Sequence, residues 1–306
     1  MKKFLVLILA MGVALGVAGS LRAQEKPSMG PPKVIQIWRE DVKPGKSAAH
    51  QKVEAGWPRA FANAKSPTHY LAMESISGPN EAWFVTGFDS LAAWEKDRQD
   101  NDKNPTLAAE LARLSAQDGE LLTGVRSVAA TLREDLSYNL GSVNLGQMRY
   151  FYLTTARVRP GHDSEFVESM KMVRAAHEKG KVPETWAVFE VSYGMAHGTY
   201  LIFQPLKSLA EVDAFPRTHE AYREAVGDDG RKKLAELDSA STLSRETNLF
   251  AFSPKMSYVG KETIDADPDF WAPKPKAAAK AAAAEGEVKP AAPAKKEAAK
   301  APKKQQ

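Results

Sequence analysis

The middle of the chain contains the same pattern twice, at a constant spacing of 116 residues. The sequence DVKPG at 41–45 returns as RVRPG at 157–161. Further matches follow downstream, where Pro67, Tyr70, Glu74 and Gly78 return as Pro183, Trp186, Glu190 and Gly194. A spacing that holds over this length predicts two copies of one folding unit.

Both copies have the same predicted order of elements, β-α-β-β-α-β with an extra helix before the last strand. Alternating polar and apolar residues indicate the strands, and the Pro-Gly turn with Ser47 as cap indicates where the first helix begins. The predicted strands are 34–40, 70–76, 82–86 and 127–135, then 150–157, 185–192, 199–203 and 242–250. Helices are predicted at 47–64, from 91 and from 105, then at 163–179, 208–215 and 218–237.

This pattern resembles the dimeric α/β-barrel superfamily, which includes the antibiotic-biosynthesis monooxygenases, the EthD-like proteins and the NIPSNAP family. The resemblance rests on a strand followed by VKPG or VRPG, an amphipathic helix, and the strands YLAME at 70–74 and WAVFE at 186–190. It implies an α+β fold in which two tandem ferredoxin-like units form a pseudo-dimeric α/β barrel. The sequence leaves open whether the barrel closes within one chain or between chains, so the oligomeric state is uncertain.

The ends of the chain predict export and a disordered tail. A charged start, an apolar run and Leu21-Arg22-Ala23 indicate a signal peptide over 1–23 and a periplasmic or secreted protein, with a retained N-terminal anchor as the alternative. A linker follows over 24–32, and the two ferredoxin-like units are expected at 33–140 and 146–258. The Ala/Lys/Pro-rich segment 259–306 is predicted to be disordered because, from Ala272 on, it is nearly all Ala, Lys, Pro and Glu and has no aromatic residue to start a core.

Charge and cysteine content limit the kinds of site and partner that the chain can have. Cysteine is absent, which excludes disulfides, cysteine nucleophiles and thiolate metal ligands. The net charge of +4 belongs to the ends, because 272–306 carries +6 and 1–23 carries +3, which leaves −5 on the rest. The Lys-rich tail is either a solvated extension or an attachment to an anionic envelope surface. Nucleic acid is not an expected partner.

The strands of both copies have one aliphatic face and one mixed face. Ile35 and Ile37 match Phe151 and Leu153 on the first, whereas Trp38 lies on the second. The aliphatic face is expected to pack under the helices, and the mixed face is expected to line the barrel interior.

Glu74 and Glu190 are the candidate catalytic residues. If both side chains face a partly apolar lumen, desolvation and mutual repulsion raise the pKa of at least one, which suits a general acid or base. The alternative is that each glutamate pairs with an arginine, such as Arg133, Arg157 or Arg245, or reaches solvent at the barrel mouth.

Aromatic residues on the same face predict a pocket for a small apolar or aromatic ligand. Packing is the alternative role for these side chains. No metal site and no cofactor are predicted, because the repeat partners of His50 and His69 are Phe166 and Thr185, which rules out a symmetric site, and no known metal or nucleotide motif occurs. The residues of the predicted pocket are Trp38, Tyr70, Trp83, Tyr152, Trp186, His50 and His69.

Two functions remain open at this point. The first is an exported barrel with a structural role or a role in binding a small ligand. The second is an enzyme, either a cofactor-independent monooxygenase or an isomerase or lyase, with a glutamate as general base toward an aromatic substrate. The fold alone does not choose between them.

Overall fold

Eight antiparallel strands close into one barrel in the computed structural model, which describes residues 30–272. The α+β class and the barrel are therefore confirmed, and the barrel closes within a single chain. The predicted signal peptide at 1–23 and the tail beyond 272 lie outside the described residues. Within those residues, no helix combines the length and the apolar character needed to cross a membrane.

The strands follow a repeated pairing scheme around the barrel. Their order is β1-β3-β2-β8-β5-β7-β6-β4, and every neighbouring pair is antiparallel. Pairing of β1 with β3 and β4 is repeated by β5 with β7 and β8, while β2–β8 and β4–β6 join the two halves. The strands are β1 Val34–Val42, β2 Tyr70–Ser75, β3 Glu81–Phe88, β4 Leu122–Leu132, β5 Tyr150–Val158, β6 Ala187–Tyr193, β7 Thr199–Leu206 and β8 Thr242–Phe252.

Helices surround the barrel and close one of its ends. The helix predicted at 47–64 is two helices, because Pro58 has no N–H to continue the first one past Gly56. The pair predicted at 208–215 and 218–237 spans Ala210–Ser241 and is interrupted at Gly227, whose φ of 70° is not helical, and not at Pro216. The helices are α1 Ser47–Glu54, α2 Trp57–Asn63, α3 Leu91–Asp102, α4 Pro105–Gly119, α5 Asp163–Gly180, α6 Ala210–Ser241, α7 Lys261–Ala266 and α8 Pro268–Trp271.

The aliphatic face of the strands forms the barrel interior, so the expected orientation of the two faces is wrong. Buried residues from all eight strands contact one another in one cluster, which is possible only inside a closed barrel. An eight-stranded barrel is just wide enough for side chains to fill, so its interior requires the most apolar face. The cluster includes Ile35, Ile37, Met73, Trp83, Val128, Phe151, Leu153, Phe189, Leu201, Phe203 and Phe250.

Residues 259–272 are folded, which corrects the predicted start of the tail. Helices α7 and α8 pack against the barrel core through Ile264, Phe270 and Trp271. Trp271 is 4% exposed, and its indole N–H donates to the carbonyl oxygen of Gly146 at 2.7 Å. Residues 273–306 contain no aromatic side chain that could make such contacts.

The orientation of the strand faces predicts different effects for two tryptophans. Trp83 is 2% exposed inside the barrel, whereas Trp38 is 44% exposed on its outer surface. We expect Trp83→Ala to lower the free energy of unfolding by about 3–5 kcal/mol, and Trp38→Ala by less than about 1 kcal/mol. Urea denaturation monitored by circular dichroism measures both. Equal losses in the two variants would contradict this assignment of the faces.

Candidate metal centre

Glu74 and Glu190 do not meet, which corrects the predicted catalytic pair. Both lie on the outer surface of the barrel, on β2 and β6, which are four strands apart in either direction. Glu74 accepts hydrogen bonds from the Gln51 amide at 2.9 and 3.0 Å. Glu190 forms an ion pair with Arg133 at 2.6 Å, one of the pairings that the sequence left open.

The predicted aromatic residues are dispersed, so they do not form one pocket. Trp83 lies inside the barrel, while Trp38 is exposed on its surface. Tyr152 contacts Phe215 in the second half. Trp186 packs outside the barrel against Tyr138 and His177, and His69 stacks on Tyr258. Of the predicted residues, only His50 belongs to the cluster described next, and Tyr70 lies beside it.

Four buried ionisable side chains converge between the outer face of the barrel and the helices of the first half. They are Glu40 on β1, His50 and Glu54 on α1, and Asp118 in the last turn of α4, and none is more than 4% exposed. One ligand atom from each lies within 4.8 Å of the others. The Nε2 atom of His50 is 2.8 Å from the Glu40 carboxylate and 3.6 Å from that of Asp118.

Local structure accounts for this convergence. His50 and Glu54 are four residues apart on α1, so they share one helix face. Glu40 points outward because it alternates with Arg39 and Asp41 along β1. Helix α4 brings Asp118 over α1 by a close approach at Gly56, where a Cβ atom would lie 2.5 Å from Leu114. Glycine at position 56 therefore lets the fourth side chain reach the cluster.

Several polar atoms at this cluster have no hydrogen-bond partner. Six buried side-chain atoms are unpartnered in residues 30–272, and five of them are in this cluster or in two residues beside it. Buried polar groups are nearly always satisfied, so a group of unsatisfied atoms indicates a partner other than protein atoms: ordered water, an ion or a ligand. The five atoms are Glu54 Oε1, Asp118 Oδ1, His50 Nδ1, Trp57 Nε1 and Tyr70 OH.

The cluster also has no lysine or arginine partner among the described residues. Among the described residues, the ion pairs that involve Glu40 and Asp118 go only to His50, and no lysine or arginine pairs with Glu54. Burial, followed by repulsion from Glu40 and Asp118, raises the pKa of Glu54 to about 10. Burial and Glu40 raise the pKa of Asp118 to about 6, although His50 opposes the rise. Either protons or a metal ion must neutralise these carboxylates in the folded protein.

The second half of the chain shows that the fold does not require this cluster. The repeat partners of Glu40, His50 and Glu54 are Ala156, Phe166 and Met170. These three side chains are buried together in an apolar cluster that also contains Tyr200. The same layer of the fold is therefore filled with ordinary core residues in one copy and with metal-ligand residues in the other.

The donor set suits one transition-metal ion. A carboxylate–imidazole mixture favours Mn²⁺, Fe²⁺ or Zn²⁺ over Ca²⁺ or Mg²⁺, which prefer oxygen ligands alone. Four ligand atoms within 4.8 Å of one another are close to the separations, up to about 4.4 Å, of ligands that lie about 2.0–2.2 Å from a single ion. The sequence predicted no metal site because it has neither a symmetric pair of ligands nor a known metal motif, whereas this candidate site occurs in one half alone and is assembled from distant segments.

Comparisons with known proteins find structural likeness only. The sequence matches no protein-family model and no curated protein. An anthrone oxidase-like protein has a TM-score of 0.48 at 15% identity, over 75% of this chain and 95% of that one. A proposed monooxygenase from Fusobacterium nucleatum has a TM-score of 0.47 at 12% identity, over 72% and 91%.

Chlorite dismutase from Candidatus Nitrospira defluvii, solved in complex with imidazole, has a TM-score of 0.43 at 10% identity. It is matched over 77% of this chain and 95% of the dismutase chain. With TM-scores below 0.5, these likenesses support no inference about activity. The cluster itself has to support any functional proposal.

Protonation of Glu54 predicts how the stability of the metal-free protein depends on pH. The folded state holds this proton up to about pH 10, whereas an unfolded chain releases it near 4.5. Because the folded state binds the extra proton between these values, its stability falls as pH rises, by at most about 1.4 kcal/mol per pH unit. Glu54→Gln is neutral at every pH, so we expect the variant to lose this dependence.

Urea denaturation in the presence of a chelator, at about pH 5.5, 7 and 8.5, tests this prediction. Glu74→Gln serves as the matched control, since this carboxylate is partly exposed and already hydrogen-bonded. It should retain the pH slope of the wild type. Parallel slopes for the wild type and Glu54→Gln would count against a buried, protonated Glu54.

Proposed function

We propose that this chain binds one divalent transition-metal ion through Glu40, His50, Glu54 and Asp118, and that its biological function is exercised at this metal. The observation that carries the proposal is the convergence of three carboxylates and an imidazole, all buried and, among the described residues, without a lysine or arginine partner. Such an ion would neutralise the carboxylates and act as a Lewis acid or redox centre.

The proposal changes both functions that the sequence left open. A ligand inside the barrel has little support, because packed side chains from all eight strands occupy the interior. A glutamate base at Glu74 or Glu190 also has little support, because both carboxylates are paired on the outer surface. If the function is binding, we propose that the bound species is a metal ion rather than a small organic ligand. An enzymatic role, including oxygen chemistry of the monooxygenase type, would depend on that metal.

We further propose that the two halves are copies of one ferredoxin-like unit and that only the first carries the metal ligands. The repeated strand pairing and the spacing of 116 residues support a duplication. A copy that keeps an apolar layer can maintain the fold while the other acquires a site. Membership of the NIPSNAP or EthD families, export, and attachment of the Lys-rich tail to an anionic surface stay predictions.

Replacing the metal ligands by their repeat partners tests the proposed function. The variant Glu40→Ala/His50→Phe/Glu54→Met installs residues that the second half already accommodates in the same layer. We expect the wild type to bind about one equivalent of Mn²⁺, Fe²⁺ or Zn²⁺ and to gain about 2.7 kcal/mol at a free metal concentration of 100 Kd. The variant should fold but lose both effects, as measured by calorimetric titration and thermal denaturation.

The control for this experiment is Glu74→Gln/Glu190→Gln, which removes two carboxylates from the same barrel but none from the cluster. It should bind metal as the wild type does. Circular dichroism shows whether each variant retains the native content of helix and strand. A wild type that binds no metal, or a triple variant that binds as tightly as the wild type, would refute the proposal.

A further inference from the structure

Trp57 stands beside the metal ligand Glu54 and offers it a hydrogen-bond donor. Glu54 is the last residue of α1 and Trp57 is the first of α2, so only Ala55 and Gly56 separate them. Burial raises the pKa of Glu54, and the indole N–H of Trp57 acts in the opposite direction because it stabilises the charged carboxylate. The geometry falls short of an ordinary hydrogen bond, since the indole nitrogen and Oε1 of Glu54 are both without a partner.

Packing fixes the position of the Trp57 ring. The ring lies against a buried apolar cluster that is formed by Ala60 of α2 and by Leu107 and Leu114 of α4. A movement of the indole away from Glu54 would therefore break the contact between the two helices. Because α4 also carries Asp118, the same packing joins the donor to the helix that supplies the fourth ligand.

The second half again provides the comparison. The repeat partner of Trp57 is Val173, 116 residues later, and that of Glu54 is Met170. Both partners belong to the apolar layer of the second half, and neither side chain has a strong hydrogen-bond donor. The donor and the carboxylate therefore occur together in one half and are both replaced by apolar side chains in the other.

A buried carboxylate that binds a metal ion has two oxygen atoms to satisfy. When one oxygen binds the ion, the other requires a hydrogen-bond donor, because burial separates it from solvent. Glu54 is only 2% exposed, and the indole N–H of Trp57 is the donor that interacts with its carboxyl group. A hydrogen bond to a charged acceptor is about twice as strong as one between neutral groups.

We propose that Trp57 is a positioning residue of the metal site: its indole N–H donates to the Glu54 oxygen that does not bind the ion, and so holds this carboxylate in place for the metal. This inference rests on the proposed function, and it requires nothing from outside the chain except the ion. Trp57 does not touch the metal, so it acts on metal affinity through Glu54. Removal of such a partner typically lowers metal affinity about 10–100-fold.

Zinc binding followed by NMR spectroscopy tests this hydrogen bond. The full-length protein is labelled with an NMR-active nitrogen isotope in its tryptophans and titrated with Zn²⁺, which is diamagnetic. A hydrogen bond moves an indole proton downfield and slows its exchange with solvent. We expect both changes in the indole signal that is missing from the spectrum of Trp57→Phe. The signal of Trp186 should stay constant, because its N–H already donates to the carbonyl oxygen of Leu136 at 2.9 Å.

Replacement of the donor tests its effect on metal binding. Trp57→Phe keeps an aromatic ring for packing against α4 but removes the N–H, so the affinity for Zn²⁺ in calorimetric titration should fall about tenfold. Trp57→Leu serves as a second variant without a donor should Trp57→Phe fold poorly. Trp186→Phe is the matched control, because it also removes a buried indole N–H, but from the second half. It should bind zinc as the wild type does.

The outcomes separate this inference from the proposed function. Zinc binding that leaves the Trp57 indole signal unchanged would overturn the hydrogen bond and leave metal binding intact. Equal zinc affinities of the wild type and Trp57→Phe would overturn the positioning role. An equal loss of affinity in Trp57→Phe and Trp186→Phe would also overturn it, because the loss would then be a general effect on the fold. Absence of zinc binding would refute the proposed function, and this inference with it.

Discussion

The packing of one apolar face from all eight strands inside the barrel is the constraint on which the rest of the structure depends. An eight-stranded barrel leaves an interior that side chains must fill, and the aliphatic residues of both copies fill it. All mixed-face residues are consequently turned outward, toward the helices or solvent. This single orientation places Glu40 under α1 and keeps Glu74 and Glu190 apart on opposite sides of the barrel.

The two halves therefore differ in the side chains that fill the layer between the sheet and the helices. In the second half, Ala156, Phe166 and Met170 make it an ordinary hydrophobic layer. In the first half, Glu40, His50 and Glu54 occupy the corresponding positions, and Asp118 joins them from α4. Burial of like charges costs several kcal/mol per ion, so a fold with an apolar alternative would gain stability by adopting it. This cost is the physical argument that supports the proposed metal binding.

Sequence reasoning found much of the fold and one part of the site. The repeat, the Pro-Gly turns and the alternation of residues located all eight strands, and His50 and Tyr70 were singled out. Glu54 was overlooked, although its repeat partner Met170 is apolar, and an acidic residue opposite a core residue is a signal that the sequence contains. Asp118 had no such signal, because the corresponding residue four positions before β8 is also an aspartate, Asp238, whose side chain is 42% exposed.

By itself, the sequence determined the order of the elements, the repeated pattern and the existence of two unlike faces on each strand, because these follow from local periodicity and from a comparison of the two halves. Only the tertiary structure decided which face is inside, since alternation is the same for either orientation and barrel closure makes the choice. It also brought Asp118 to Glu54, 64 positions earlier in the chain. A site assembled from β1, α1 and α4 depends on the packing of helices over a closed barrel, which no local pattern specifies.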